Sequence, residues 1–204
     1  MINIQHSALL LIEFQNEWLT PNGKLNHLLT DKHQFLIALQ NARSIIQCAR
    51  KTTINVIHSG LSYTHNYKEL GEAQYGLRAA IPMHKTFLSN TSASEFTPPF
   101  TPQDNEFTIK GRMGSSAFSA SNLDAYFRNH RINTIFIMGY ALHVCVESTL
   151  RAAHDLGYET VVIEDASCAF TKEQKHYFLN HVIHHFGHSM KSDEFITQLE
   201  RFIK

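Results

Sequence analysis

The chain has 204 residues, 43% of them hydrophobic and 18% charged, which is enough for one hydrophobic core in a single globular domain over 1–204. Eighteen Lys and Arg balance eighteen Asp and Glu. That balance argues against a nucleic-acid partner, because a polyanion rewards excess positive charge, and it lowers the repulsion between copies. The N-terminus carries no basic region followed by a long apolar segment, and no run of 18 apolar residues occurs, so neither a signal peptide nor a membrane span is expected. Three cysteines, Cys48, Cys145 and Cys168, form no CxxC and are an odd number, which fits a reducing cytoplasm.

In chain order, Ala8-Leu9-Leu10-Leu11-Ile12 is an apolar run of strand length that ends at Glu13, as in a buried parallel strand. Phe35, Leu39, Ala42, Ile46 and Ala49 recur at helical spacing. A second strand follows over 53–58. Residues 62–107 form an irregular excursion holding four of the five prolines, with a short helix expected near 67–74. Loops of this length often shape a site. Strand character returns at Glu106 to Lys110, helix over 121–129, strand over 133–138, and helix from Cys145 to Leu156, ended by Gly157. Further on come a strand over 159–163, a helix over 173–186, a short strand over 188–190 and a last helix over 192–202. Strands alternating with helices predict a three-layer α/β/α domain with a mostly parallel sheet of about six strands.

In such a sheet the site lies beyond the carboxyl ends of the strands. Three reactive residues sit there: Glu13, Lys110 and Cys145. A carboxylate can take the proton of a thiol and later hand it to a leaving amine, and a nearby ammonium lowers the thiol pKa and keeps the carboxylate ionised. The combination suits acyl transfer through a thioester. A plainer reading of Glu13 and Lys110 is a structural ion pair, since a carboxylate beside five apolar residues is costly unpaired; both readings can hold together.

The motifs that carry these residues resemble the isochorismatase-like cysteine hydrolases over nearly the whole chain. Leu10-Leu11-Ile12-Glu13-Phe14-Gln15-Asn16-Glu17 is similar to the motif that delivers the catalytic acid. Ile109-Lys110-Gly111-Arg112-Met113-Gly114-Ser115-Ser116-Ala117-Phe118 is similar to the lysine motif, and Gly139 to Cys145 with Glu147-Ser148-Thr149 to the nucleophile motif. The resemblance implies Cys145 as nucleophile, Glu13 as acid/base and Lys110 as the third member. It also implies a cis Tyr140–Ala141 peptide, an oxyanion hole made by the Ala141 and Cys145 amides, and a homo-oligomer of two or more copies. Two departures stand out. The family acid is usually aspartate, one methylene shorter than Glu13. The Asp-x-His metal motif of nicotinamide-cleaving members is replaced by His58-Ser59-Gly60, so no metal and no other cofactor is expected.

The activity expected is hydrolysis of the C–N bond of a small-molecule amide, imide or ureido compound. The alternative is a non-catalytic binding or partner protein on the same fold. Asn16, Trp18, Tyr63, Phe118, Tyr140, His143 and Phe170 fall near the expected rim and are candidate pocket residues, though aromatic residues are as readily core. Cys48 is expected in the core, Cys168 in the core or beside the pocket, and Asp165 as a brace for a loop. His176, His181, His184, His185 and His188 look metal-like in spacing but lack HExxH, and read as a helix surface.

Overall fold

A computed structural model describes residues 2–203. Six strands form one sheet in the order β3-β2-β1-β4-β5-β6, with every neighbouring pair parallel. They are β1 (Ser7–Ile12), β2 (Asn55–Ser59), β3 (Phe107–Thr108), β4 (Thr134–Gly139), β5 (Glu159–Ile163) and β6 (His188–Met190). The helices are α1 (Asn16–Leu19), α2 (Lys32–Ala49), α3 (Gly76–His84), α4 (Leu123–Asn129), α5 (Glu147–Asp155), α6 (Lys172–His181), α7 (Ile183–Phe186) and α8 (Ser192–Glu200).

All six residues of β1 are buried, because a central parallel strand is covered on both faces. Its side chains alternate between two cores. Leu9 and Leu11 join Phe35, Ala42 and Ile46 of α2 and Phe195 of α8. Ala8, Leu10 and Ile12 join Phe127 of α4, Leu150 of α5 and Phe178 of α6. The fold is thus the expected three-layer α/β/α sandwich. β1 lies between β2 and β4, where the strand order reverses, and this is where ligands bind in open α/β sheets.

Element boundaries differ from the sequence expectation where long-range contacts decide them. The 67–74 stretch of the excursion holds only a single 3-10 turn, Lys68–Leu70, and its α-helix lies at 76–84. Pro82 sits inside it, which masked it in the sequence. The excursion is pinned by buried Gln15, whose amide donates to the carbonyls of Leu61 (2.8 Å) and Ser94 (2.6 Å) while its oxygen accepts from Leu61 N–H (2.8 Å). The helix expected over 173–186 breaks at Val182 into α6 and α7. All five histidines of that region are exposed, and no cluster with metal-ligand geometry occurs among the described residues. No described helix is long and apolar enough to cross a membrane.

Candidate active site

β1 and β4 end in register, Ile12 opposite Gly139, and their continuations carry the reactive groups. Gly139 has φ +139°, and a Cβ there would collide with the Ile12 carbonyl, so only glycine allows the two strands to part this closely. Glu13 turns off β1 in a left-handed conformation, φ 56°. Such a backbone costs a non-glycine residue about 1–3 kcal/mol and persists only where its surroundings enforce it; here Glu13 N–H donates to Ser59 O at 2.7 Å. The chain leaves β4 through a cis Tyr140–Ala141 peptide into a wide π-helical turn, Leu142–Val146, in which Val146 N–H donates to Ala141 O at 3.2 Å. α5 continues from it. Cys145 sits in that turn, 5% exposed. Its carbonyl accepts from the Thr149 hydroxyl at 2.7 Å, which accepts in turn from Ala117 N–H at 2.9 Å. The turn is thereby tied to the segment after β3.

The Glu13 carboxylate is buried, 1% exposed, and both oxygens are committed. Oε1 accepts from Arg112 Nη2 at 2.6 Å and Oε2 from Trp18 Nε1 at 2.8 Å. Arg112 is buried as well and also donates to Ser59 Oγ, Gly114 O and Ser115 O. Burial disfavours its charge most strongly, but the adjoining Glu13 carboxylate together with Cys145 and Tyr63 more than offsets this and holds the guanidinium pKa above its ordinary value. Burial pushes the Cys145 thiol pKa well above its ordinary value, Glu13 pushes it further, and Arg112 works the other way. Both charges therefore act on the sulfur.

Cys145, Glu13 and Ala141 face one cavity of about 240 Å³. A second cavity of about 360 Å³ shares Cys145, Leu61, Leu77 and Ile81 with it and is lined further by Tyr63, Arg78 and Ser115.

Lys110 is not brought to this pair. β3 ends at Thr108, two residues before it, and the Lys110 side chain is exposed. Its N–H donates to Asn122 Oδ1 at 2.9 Å, and it lines a third cavity, with Gly60, Glu69, Tyr63 and Arg112, that does not reach Cys145 or Glu13. The turn at Gly111, φ +82°, sends Lys110 outward and Arg112 inward. Arg112 was overlooked in the sequence because two cations flank one glycine, and only the turn distinguishes them.

Of the candidate pocket residues, Trp18 and Phe170 line the first cavity, their rings 5.9 Å apart, and Tyr63 lines the second. Asn16 instead braces the excursion, donating to Ser92 O and accepting from the Thr97 hydroxyl. Phe118 packs against Phe127 and Tyr158 on the α4 side of the sheet. Tyr140 is fully buried in the other core, against Phe14 and Phe35. His143 stands edge-on to Phe170 at 4.5 Å, behind the cavity wall, and burial lowers its pKa. None of these four lines a cavity that reaches Cys145: Tyr140 continues the alternation of Phe136 and Met138 into the α2 core, and Phe118 packs onto α4 within the core that also holds Cys145. Cys48 and Cys168 are buried. Cys168 bridges Tyr140 across the end of β4. Asp165 accepts from the N–H and hydroxyl of Ser192 and fixes the start of α8. Sequence reading also missed Leu25, Leu28 and Phe87, apolar loop residues that line the first cavity and carry no pattern of their own.

A three-layer sheet with a cysteine beyond one strand and an acid beyond its neighbour defines the class. The family follows from the comparisons: the isochorismatase domain model matches residues 7–194, and the chain belongs to the isochorismatase family of hydrolases. Two isochorismatase family proteins of Bacillus subtilis are similar to it. YwoC is 35% identical over 107 residues, 52% of this chain and 56% of YwoC, so the match spans little more than half of that protein. YddQ is 29% identical over 168 residues, 82% of this chain and 80% of YddQ. Among solved structures, a cysteine hydrolase from Pseudomonas syringae pv. phaseolicola shares the fold with a TM-score of 0.82 at 20% identity, covering 98% of this chain and 95% of the other.

Proposed function

We propose that the chain is a cysteine-dependent hydrolase that cleaves the C–N bond of a small amide, imide or ureido compound through a thioester. The observation that carries this reading is the meeting of Cys145 and Glu13 in one cavity, with Glu13 anchored by Arg112 and Trp18. In the first half-reaction Cys145 Sγ attacks the carbonyl carbon while Glu13 takes the thiol proton. The oxyanion is received by the Ala141 and Cys145 amides, and the C–N bond breaks as Glu13 returns the proton to the leaving nitrogen. In the second, Glu13 takes a proton from water, the hydroxide oxygen attacks the thioester, and the proton returns to sulfur as the acid leaves. A guanidinium does not release its proton in proteins, so Arg112 acts by charge and position and Glu13 alone moves protons. The high thiol pKa fits transfer in step with attack, since no standing thiolate is needed.

The raised thiol pKa favours the second reading, a binding protein on this fold, because pre-activated cysteines commonly have depressed pKa values. Intact-mass spectrometry during incubation with a panel of small amides separates the two. A hydrolase gives an acyl adduct on wild-type protein and none on Cys145→Ala. Hydrolysis of any amide by Cys145→Ala at the wild-type rate contradicts the mechanism.

A further inference from the structure

The cavity beside Cys145 has a chemistry that selects among amides. Apart from Cys145 and Glu13, its wall is built mainly from apolar side chains, among them Trp18, Leu25, Leu28, Phe87, Val144 and Phe170. Among the described residues, the remaining polar side chains are Thr86, His84 at the exposed rim and Trp18, whose N–H is taken by Glu13, and no lysine or arginine lines it. Arg112, a buried cation beside Glu13, commits four of its five donors to Glu13, Ser59, Gly114 and Ser115 and does not line this cavity. Arg78 lies on the neighbouring cavity, across Leu77 and Ile81, and donates to Leu70 O. A carboxylate carried into the apolar cavity would lose its water and find only the Glu13 charge of its own sign. An apolar group would shed water to its advantage. An apolar cavity of about 150 Å³ accepts benzene; about 240 Å³ leaves room for a ring with its carboxamide.

We infer that the substrate is the amide of a small, uncharged, apolar carboxylic acid, aryl or branched alkyl, whose acyl group fills this cavity and whose nitrogen leaves as ammonia or a small amine. Water supplies the balance: amide and water give acid and amine. The inference rests on the hydrolase reading above, and its test keeps the two apart.

Binding to Cys145→Ala is measured by calorimetry with benzamide, N-carbamoylglycine and succinamic acid, and ammonia release by wild-type protein is measured with the same three. Benzamide should bind at least tenfold more tightly than either charged compound, and wild-type protein should release ammonia from it. Leu77→Arg in the Cys145→Ala background, a change at a partly exposed wall position, should raise affinity for succinamic acid and lower it for benzamide. Equal affinities, or preference for a charged compound, overturn the inference. Ammonia from N-carbamoylglycine but not from benzamide overturns the substrate class and upholds the hydrolase. Benzamide binding with no ammonia upholds the cavity's preference and overturns the hydrolase reading.

Discussion

Arg112 Nη2 lies 2.6 Å from Glu13 Oε1, and both side chains are 1% exposed. A charge pair taken so far out of water is retained only when its remaining hydrogen bonds are met, and Arg112 meets them with Ser59 and two carbonyls. Breaking the pair from one side leaves the other charge buried and alone. Arg112→Met should cost about 3–5 kcal/mol of stability, read as a fall in the urea midpoint. The double variant Arg112→Met/Glu13→Met should recover part of that loss, whereas additive costs would contradict the coupling.

Glu13 raises the Cys145 thiol pKa and Arg112 lowers it. Removing the carboxylate charge with Glu13→Gln therefore moves the thiol pKa down. Alkylation by iodoacetamide at pH 8 should become faster than in wild-type protein, while amide hydrolysis is lost. Slower alkylation would show that Glu13 does not act on the sulfur as described.

Trp18 contributes an apolar face to the cavity and one donor to Glu13 Oε2. Trp18→Phe keeps most of the face and drops the donor. Hydrogen bonds to charged groups are worth about 1.5–3 kcal/mol, so kcat should fall about 10- to 100-fold with KM changed far less. A change confined to KM would mean that the ring matters only as a wall.

Another charge cluster lies away from the site. Burial alone would raise the Glu106 pKa, but donors on Arg50 and His58 (2.7 and 2.8 Å) prevail and hold it at about 2, below the ordinary carboxylate value of 4.5. A depressed folded-state pKa gives stability that is complete above the unfolded value and is lost as pH falls through the folded one. Acid denaturation should therefore steepen between pH 4.5 and about 2, and Glu106→Gln should flatten that window while lowering stability at pH 7. An unchanged acid limb would remove Glu106 from the account.

The elements whose patterns are local were legible in the sequence. β1 and β4 are built on unbroken apolar runs, β5 ends in Val161-Val162-Ile163, and α2 repeats its apolar face at helical spacing. Glu13 and Cys145 were legible because each follows such a run. The excursion was not, because Gln15 fixes it from 46 and 79 residues away. Lys110 was expected beside Glu13 and Arg112 stands there instead, for a local reason of another kind. Lys110 continues the strand-like pattern, but β3 stops at Thr108, and a glycine with positive φ reverses which of two neighbouring cations faces inward. Tyr140 looked like a rim residue from its position after β4, yet it continues the alternation of Phe136 and Met138, which sends its ring into the core.

Which cation serves Glu13 and Cys145 is decided most directly by amide hydrolysis in two variants, Lys110→Met and Arg112→Met, each checked for retained fold by circular dichroism. The expected result is that Lys110→Met keeps kcat/KM within about twofold, as surface substitutions away from a site do. Arg112→Met should lose at least about 100-fold, the scale on which removal of one preorganised charge or donor acts. Loss of activity in Lys110→Met with Arg112→Met intact would contradict the site described for this chain.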